Sequence, residues 1–183
     1  MISESSAFHT AIFDALCACL NLSESEGVKL IHEAYAEPEN TPRPPRNRNV
    51  IYWTVLQDPA ADPVATAVME SSPGTGRNTP VVYTTLKYQL IIVCYGPDCE
   101  EYAHRIRSML YLDGYGLPRK ILRDAGIYPV PDPPQPALLH EEESSLWRKR
   151  ADLTVQLRVR DEQRGQARGN ITVAPDVIIK KGN

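Results

Sequence analysis

The densest chemistry in the sequence stands at residues 140–143, where His140 precedes three consecutive glutamates. A metal-dependent nuclease needs spaced carboxylates that converge on one ion. Consecutive glutamates on an extended turn point in different directions, so we interpret HEEESS as a solvated acidic turn that balances nearby arginines. The other histidines, His9, His32 and His104, have no partner at HxH or HxxxH spacing, and we predict no metal site.

Two further patterns fall short of known phosphate-binding and nucleophilic motifs. The stretch SSPGTGR, residues 71–77, lacks the closing lysine and the following helix that hold phosphates. The cysteines at positions 17, 19, 94 and 99 have no histidine partner in the local sequence. We interpret them as buried, reduced thiols, with a four-cysteine zinc site as the alternative. The sequence therefore predicts no enzyme activity and no cofactor.

Arginine has the most informative spacing. The segment 147–160 reads as a strand with two chemically different sides. The apolar side is expected to seal the core with Trp147, Leu153, Val155, Leu157 and Val159. The other side carries Arg148, Arg150, Arg158 and Arg160. A second basic patch, RPPRNR, adds Arg43, Arg46 and Arg48. We predict that these arginines contact carboxylates of a neighbouring subunit through their planar guanidinium groups, with a merely solvated face as the alternative.

The bulk composition limits the function classes. The 183 residues suit one domain, and the 42% apolar content supplies a core. A net charge of −3 argues against a protein that binds nucleic acid through its overall charge. No apolar run is long enough to span a membrane, and MISESSAFHT lacks the features of a signal peptide. We therefore expect a protein made and kept in a cytoplasm.

The order of predicted elements indicates an α+β fold. Apolar periodicity predicts helices over residues 5–20, over the stretch after Gly96 as far as Leu112, and over 118–126. In the second helix we expect Asp98 to cap the first turn, and Arg105 and Arg107 to be solvated. Strands are predicted over 28–36, 50–57, 64–70, 81–95 and 147–160, with Gly27 as a break before the first and a loop over 71–80. The plan is a mixed, mainly antiparallel sheet with helices packed on one face and long proline-rich loops.

The chain is expected to form one domain over residues 1–160. Residues 161–183 then form a C-terminal loop and a short strand or docking arm. We find no internal repeat in the sequence.

Four stretches carry a family likeness. They are VKLIHEAYA with RPPRNRNVIYWTVL, the long strand broken by GPDCEEYAHRIRSML, the short helix and turn LRDAGIYPV, and EEESSLWRKRADLTVQLRV. In pattern and order, this part of the chain resembles the neck and tail-terminator proteins of long-tailed bacteriophages and prophages. The resemblance spans roughly residues 8–160.

The resemblance implies a structural subunit that forms a hexameric ring at the head-proximal end of the tail tube. Such a ring stops tube growth and joins the tail to the head connector. The implied partners are other copies of the chain, the tail tube protein and the head-completion or connector protein. DNA would pass through the lumen without being read, and no membrane, cofactor or enzyme activity is implied. The implied location is the virion, after assembly in the cytoplasm of the bacterial host.

Other functions compete with this reading. The subunit could belong elsewhere in the neck or baseplate, where related small α+β subunits recur. A nucleic-acid-binding module would use the arginines of RPPRNR and of strand 147–160, and its binding would weaken steeply with salt. A small enzyme would have to assemble its site from distant segments, because no nucleophile–base pair is visible in the sequence.

Overall fold

The computed structural model describes residues 5–34, 47–58, 64–72, 77–112, 114–143, 146–164 and 168–169. Within these ranges the chain forms four helices: α1 (Ser5–Leu20), α2 (Glu24–Leu30), α3 (Cys99–Tyr111) and α4 (Leu117–Asp124). It also forms eight strands: β1 (Ile31–Glu33), β2 (Val50–Gln57), β3 (Val64–Ser72), β4 (Arg77–Tyr95), β5 (Ile127–Pro129), β6 (Ala137–Glu143), β7 (Leu146–Arg164) and β8 (Arg168–Gly169). None of the helices in these ranges is long and apolar enough to cross a membrane.

One sheet contains all the described strands. Its main order is β1-β2-β4-β7-β5, with β3 and β8 beside the first part of β4 and β6 beside the first part of β7. The β1–β2 pair is parallel and the other pairs are antiparallel. The β4–β7 ladder is the longest, from Val81 opposite Arg164 to Tyr95 opposite Arg150. The predicted α+β class with a mixed, mainly antiparallel sheet is confirmed.

The core lies between the helices and one face of the sheet. Along β7 the odd-numbered residues from Ala151 to Val159 are buried, while Thr154, Gln156 and Arg158 between them are exposed. This period of two is what a sheet with one covered face requires. The core-facing side chains of the sheet pack with helix residues Ile12, Leu16, Ile106, Leu110 and Leu122. Helix α1 therefore sits on the same face of the sheet as α3 and α4.

The predicted strand over residues 28–36 is wrong in its first part. Residues 28–30 form the last turn of α2, and β1 covers only Ile31–Glu33. These residues are helical because Ser23, with Glu26 three residues later, starts a helix that continues through them. The backbone N–H of Ser23 donates to Glu26 Oε2 at 2.9 Å, which is one half of a capping box. The Ser23 hydroxyl also donates to Glu26 Oε2, at 2.6 Å, and the two hydrogen bonds together lower the pKa of Glu26. Residues 35 and 36 lie outside the described ranges.

Gly27 does not act as a break between elements. It is buried within α2, and a Cβ there would overlap the Cys17 Sγ and lie 3.1 Å from the Phe13 ring. The glycine therefore allows α2 to approach α1 closely, which is a packing role.

The loop predicted over residues 71–80 is much shorter in the structure. Strand β3 continues to Ser72 and β4 begins at Arg77, directly opposite it; residues 73–76 lie outside the described part. Pro80 lies in β4, between the ladder that β4 forms with β8 and the one it forms with β7. Met69 of β3 lies opposite Pro80, but on the side of β7 and β8 no residue is paired with it, so a proline without an N–H is tolerated there.

The acidic turn predicted around residues 140–143 is a strand instead. Ala137–Glu143 forms β6, which pairs with β7 from Asp152 back to Leu146. The prediction failed because three glutamates have low β-propensity, and the hairpin partner that overrides it follows later in the chain.

The two arginines of α3 that were expected to be solvated bind other segments. Arg105 Nε donates to the Cys19 carbonyl at 3.2 Å, and Arg107 Nε donates to the Pro134 carbonyl at 2.7 Å. Both side chains are half-buried. They attach the end of α1 and the proline-rich segment before β6 to the helix. Asp98 stands at the N-cap position of α3, but its carboxylate accepts a hydrogen bond from Asn49 Nδ2 at 2.7 Å and does not cap the helix.

The predicted domain limit at residue 160 falls inside a strand. Strand β7 runs past residue 160 to Arg164, and residues 168–169 pair with the start of β4. Residues 170–183 lie outside the described ranges, so the proposed docking arm stays a prediction.

Candidate assembly surface

The face of the sheet turned away from the helices is the candidate functional surface, and we call it the open face. It is built by the side chains of β2, β4 and β7 that alternate with the core-facing ones. Its charged members include Lys87, Arg148, Arg150, Asp152, Arg158, Arg160 and Glu162. Polar and apolar residues, including Thr54, Gln89, Ile91, Val93, Thr154 and Gln156, separate two charged groups at opposite ends of this face.

At one end, Arg148 is buried within the subunit. Its side chain is 6% exposed, and its guanidinium carbon lies 4.4 Å from the centre of the Tyr95 ring. A cation over an aromatic face at this distance is attracted by the negative electrostatic potential of the ring face. Tyr95 also makes an edge contact with Tyr52, with ring centres 6.1 Å apart. The burial removes Arg148 from the surface that another molecule can reach.

Arg150 forms an ion-pair network beside Arg148. Its Nε and Nη2 donate to the two carboxylate oxygens of Asp152 at 2.6 and 2.7 Å, which is the bidentate geometry of strong arginine–carboxylate pairs. Its Nη1 lies 3.4 Å from Glu141 Oε2, which also accepts the Tyr95 hydroxyl hydrogen bond at 2.8 Å. The hydrogen bond with Asp152 raises the pKa of Arg150. Burial, and then the bond to Glu141, raises the pKa of Tyr95 to about 12.

At the other end of the open face, the cations are exposed. Lys87 and Arg158 are both exposed and lie directly opposite each other on β4 and β7. Arg160, also exposed, stacks with its guanidinium carbon 3.6 Å from the centre of the Tyr83 ring. Like charges directly opposite each other on a sheet are destabilising. We call Lys87, Arg158 and Arg160 the cation row; it is suited to an anionic partner.

The structure thus separates the predicted arginines into groups. Arg158 and Arg160 belong to the cation row, while Arg148 and Arg150 bind groups of their own chain. Arg48 is exposed and lies near Arg148 and Arg150. Its carbonyl approaches Gly96, and the Gly96 N–H donates to the carbonyl of Lys149, between those two arginines, at 3.4 Å. Gly96 has a φ of +110°, which suits glycine at this close approach. Arg43 and Arg46 lie outside the described residues.

The expectation that Trp147 seals the core is wrong. Its side chain is 67% exposed. The burial pattern on this side of β7 begins only at Ala151, since Lys149 is also exposed. The strand pattern placed Trp147 on the correct side of β7, but the buried part of that side begins only at Ala151, four residues further along the chain.

Lys87, Tyr95 and the partners of Arg150 were not predicted from the sequence. No signal within the β4 or β7 sequence places Lys87 opposite Arg158. The Glu141–Arg150 contact follows from the β6–β7 hairpin, in which Leu139 lies opposite Arg150 and Glu141 opposite Arg148. A correct assignment of that hairpin would have been enough to predict the charge pairing.

Possible chemical sites elsewhere have structural explanations. Among the residues that the structure describes, no three histidine, cysteine, aspartate or glutamate side chains converge as a metal site would require. All four cysteines are free and buried, as predicted, and burial raises the pKa of Cys19 and Cys94 to about 12. In a cleft of about 470 Å³ beside α1, His9 Nδ1 lies 2.7 Å from Glu33 Oε1. The His9 ring also meets Trp53 edge-on, so both contacts hold it in place.

Comparison with known proteins gives one family. The model of the family described as phage neck terminator protein matches residues 7–183. The match begins in α1 and includes both charged ends of the open face. No curated protein matches the chain.

Proposed function

Because the chain belongs to the phage neck terminator family and is therefore a structural protein of the phage neck, we propose that it forms a ring of six copies at the head-proximal end of the tail tube. The ring stops polymerisation of the tube and provides the surface that joins the tail to the head connector. Its partners are the tube protein on one side and the head-completion or connector protein on the other. DNA passes through the lumen without sequence-specific binding.

The cation row is the observation that supports this proposal. A ring of one kind of subunit has heterologous interfaces, so each copy must present two different surfaces that fit each other. Lys87, Arg158 and Arg160 place three positive charges close together on the open face, with Glu162 beside Arg160 on β7. An acidic chain with 23 aspartates and glutamates can supply further anions. We therefore infer that the cation row contacts carboxylates of a neighbouring copy. We propose Arg43, Arg46 and Arg48 as further interface residues. Arg148 and Arg150 contact Tyr95 and Asp152 of their own chain, so we propose that they hold the open face in shape and do not bind a neighbour directly.

Electron microscopy of tube assembly tests this function. Purified protein would be mixed with tail tube subunits during polymerisation and imaged in negative stain. We expect tubes of limited length with a ring at one end, in contrast to longer, uncapped tubes without the protein. Tube lengths unchanged over a wide range of protein concentration would contradict the proposal. A map of the intact particle would then separate this position from another neck or baseplate position.

A second candidate function also follows from the cation row. Three exposed cations could contact the phosphates of DNA, and such binding would weaken steeply as salt rises. The net charge of −3 argues against this candidate. Fluorescence anisotropy with labelled duplex DNA at about 50 mM salt decides it, because phosphate contacts are strong there. We expect no binding, and salt-sensitive binding lost in an Arg158→Glu variant would favour the nucleic-acid module.

A further inference from the structure

Strand β3 is an edge strand without the usual protection. Its nine residues pair with β4 from Val64 opposite Thr85 to Ser72 opposite Arg77, one for one and without a bulge. Within the described part of the chain, no strand pairs with its other edge. All residues from 65 to 69 are exposed, with Val68 43% and Met69 57% exposed. Side chains on both faces of β3 are therefore uncovered within the subunit.

An edge of this kind is a template for another strand. Its outward N–H and C=O groups can pair with a second chain, and proteins usually prevent this with lysine, proline or a bulge. The β3 sequence VATAVMESS contains none of these and has one charged residue, Glu70. An added strand would satisfy the edge through main-chain hydrogen bonds.

Among the strands that the structure describes, the same sheet has a second open edge at its other side. Strand β6 pairs with β7 over seven consecutive positions, and residues 137–142 are all exposed. Leu138 and Leu139 expose apolar side chains there, and the glutamates at 141–143 follow. The glutamate run gives the β6 edge a negative charge, and a like-charged strand placed against it is disfavoured. The β6 edge therefore favours a neutral or basic strand over another copy of itself.

The directions of the strands fit a contact between β6 and β3. Strand β3 is antiparallel to β4, β4 to β7, and β7 to β6. It follows that β3 and β6 run in opposite directions within one subunit. Successive copies in a ring keep the same direction along the ring axis. When β6 of one copy reaches β3 of the next, the two strands meet in the antiparallel mode, which is the more stable of the two.

We propose that β6 of one copy pairs edge to edge with β3 of the next copy. The proposal rests on the proposed ring, and it names the strands that join its subunits. It covers both open edges at once, whereas a β3–β3 pair would stop at two copies and leave β6 uncovered. The cation row lies on the open face of β4 and β7, in the same sheet as β3, so its positive charge favours the approach of the acidic strand.

A pair of variants with opposite charge tests the strand assignment. A65D/A67D places acid on β3 against the glutamates of β6, whereas A65K/A67K places base there. We expect the aspartate variant to need at least about tenfold more protein to associate than wild type, because like charges oppose each other across the new strand pair. The lysine variant should associate at least as well as wild type. Sedimentation velocity measures the association, and circular dichroism with urea unfolding checks that the two monomers are equally folded.

Each other outcome contradicts the inference. Impaired association in both variants would indicate a β3–β3 contact or an apolar contact, and unchanged association in both would place β3 outside the interface. A wild-type protein that stays monomeric alone and with tube subunits would contradict any contact between copies. If the charge dependence is as expected but tubes are not capped, only the proposed function fails.

Cross-linking between different copies gives an independent check. V68C and L139C variants would be prepared separately, mixed, and treated with a short bismaleimide. We expect a covalent dimer in the mixture and not in either variant alone. K120C, at an exposed position on α4, is the control partner for V68C and should give no dimer with it. A dimer formed by V68C alone would overturn the β3–β6 pairing.

Discussion

Arg148 and Arg158 stand on the same side of one strand, yet they have different environments. Arg148 lies where Tyr95 and the β6 hairpin surround it, while Arg158 lies beyond the end of β6 and faces an exposed lysine. The side of a strand therefore determines which way a residue points. The neighbouring strands determine whether its charge is available to another molecule.

The Arg150 network should contribute to the stability of the monomer. Arg150→Ala removes a bidentate pair with Asp152 and the contact to Glu141, leaving a half-buried carboxylate without its cation. Because these groups are partly exposed, we expect a loss of about 1–2 kcal/mol in the free energy of unfolding.

The matched control is Arg158→Ala on the same strand. Its side chain is exposed, and we expect a change within about 0.5 kcal/mol. Urea unfolding of both variants followed by circular dichroism measures the difference. Equal losses in the two variants would show that the network adds nothing to stability.

At the scale of elements, sequence pattern was reliable where one segment carries its own signal. The helix over 5–20 and the strand over 50–57 were predicted with the limits that the structure has. The alternation from Leu153 to Val159 correctly identified the buried side of β7. In these segments the apolar period is long and local, so a single stretch contains the information needed.

The failures occur where structure depends on a second segment. Strand β6 exists because β7 pairs with it, and β4 begins at Arg77 because β3 continues opposite to it. The cation row likewise depends on the β4–β7 register, which brings Lys87 opposite Arg158. No pattern within one of these segments reports such pairings. The arginines of the candidate surface were identified from the sequence, but their separation into buried and exposed groups was not.

The close contact between α1 and α2 gives a prediction at Gly27. Gly27→Ala would bring a methyl group into the Cys17 Sγ and the Phe13 ring. Overpacking of this kind costs about 1–3 kcal/mol, which exceeds the gain in helix propensity that alanine offers over glycine.

Cys17→Ala supplies the test of that cause. The double variant should recover part of the loss, because removal of the sulfur makes room for the new methyl group. The four free energies of unfolding form a double-mutant cycle. Strict additivity of the two changes would show that the Cys17 sulfur does not limit space at this position.

At the scale of the whole molecule, charge at the cation row should affect assembly and not folding. The R158E/R160E variant reverses two exposed charges on the open face. We expect the monomer to unfold as wild type within about 0.5 kcal/mol, since exposed substitutions cost little. Association of copies should weaken by at least about tenfold, because the contacted carboxylates would then face glutamates.

The K120E/R123E variant is the control for net charge. It makes the same change in total charge at exposed positions on α4, away from the open face. Sedimentation velocity at equal concentration compares the two. Equal weakening in both variants would assign the effect to total charge, and normal association of R158E/R160E would leave the cation row as a solvated surface.

The long β4–β7 ladder has a consequence for how the chain folds. Its paired residues are 55 positions apart at one end (150 minus 95) and 83 at the other (164 minus 81). Closing such loops is slow, and folds dominated by distant pairings take roughly milliseconds to seconds. The β3–β4 and β6–β7 hairpins join strands that are close in sequence, so they can form before the central ladder does. A newly synthesised chain would then present both open edges while its core is incomplete. Yield on expression should therefore depend on temperature and synthesis rate more than on the final stability of the monomer.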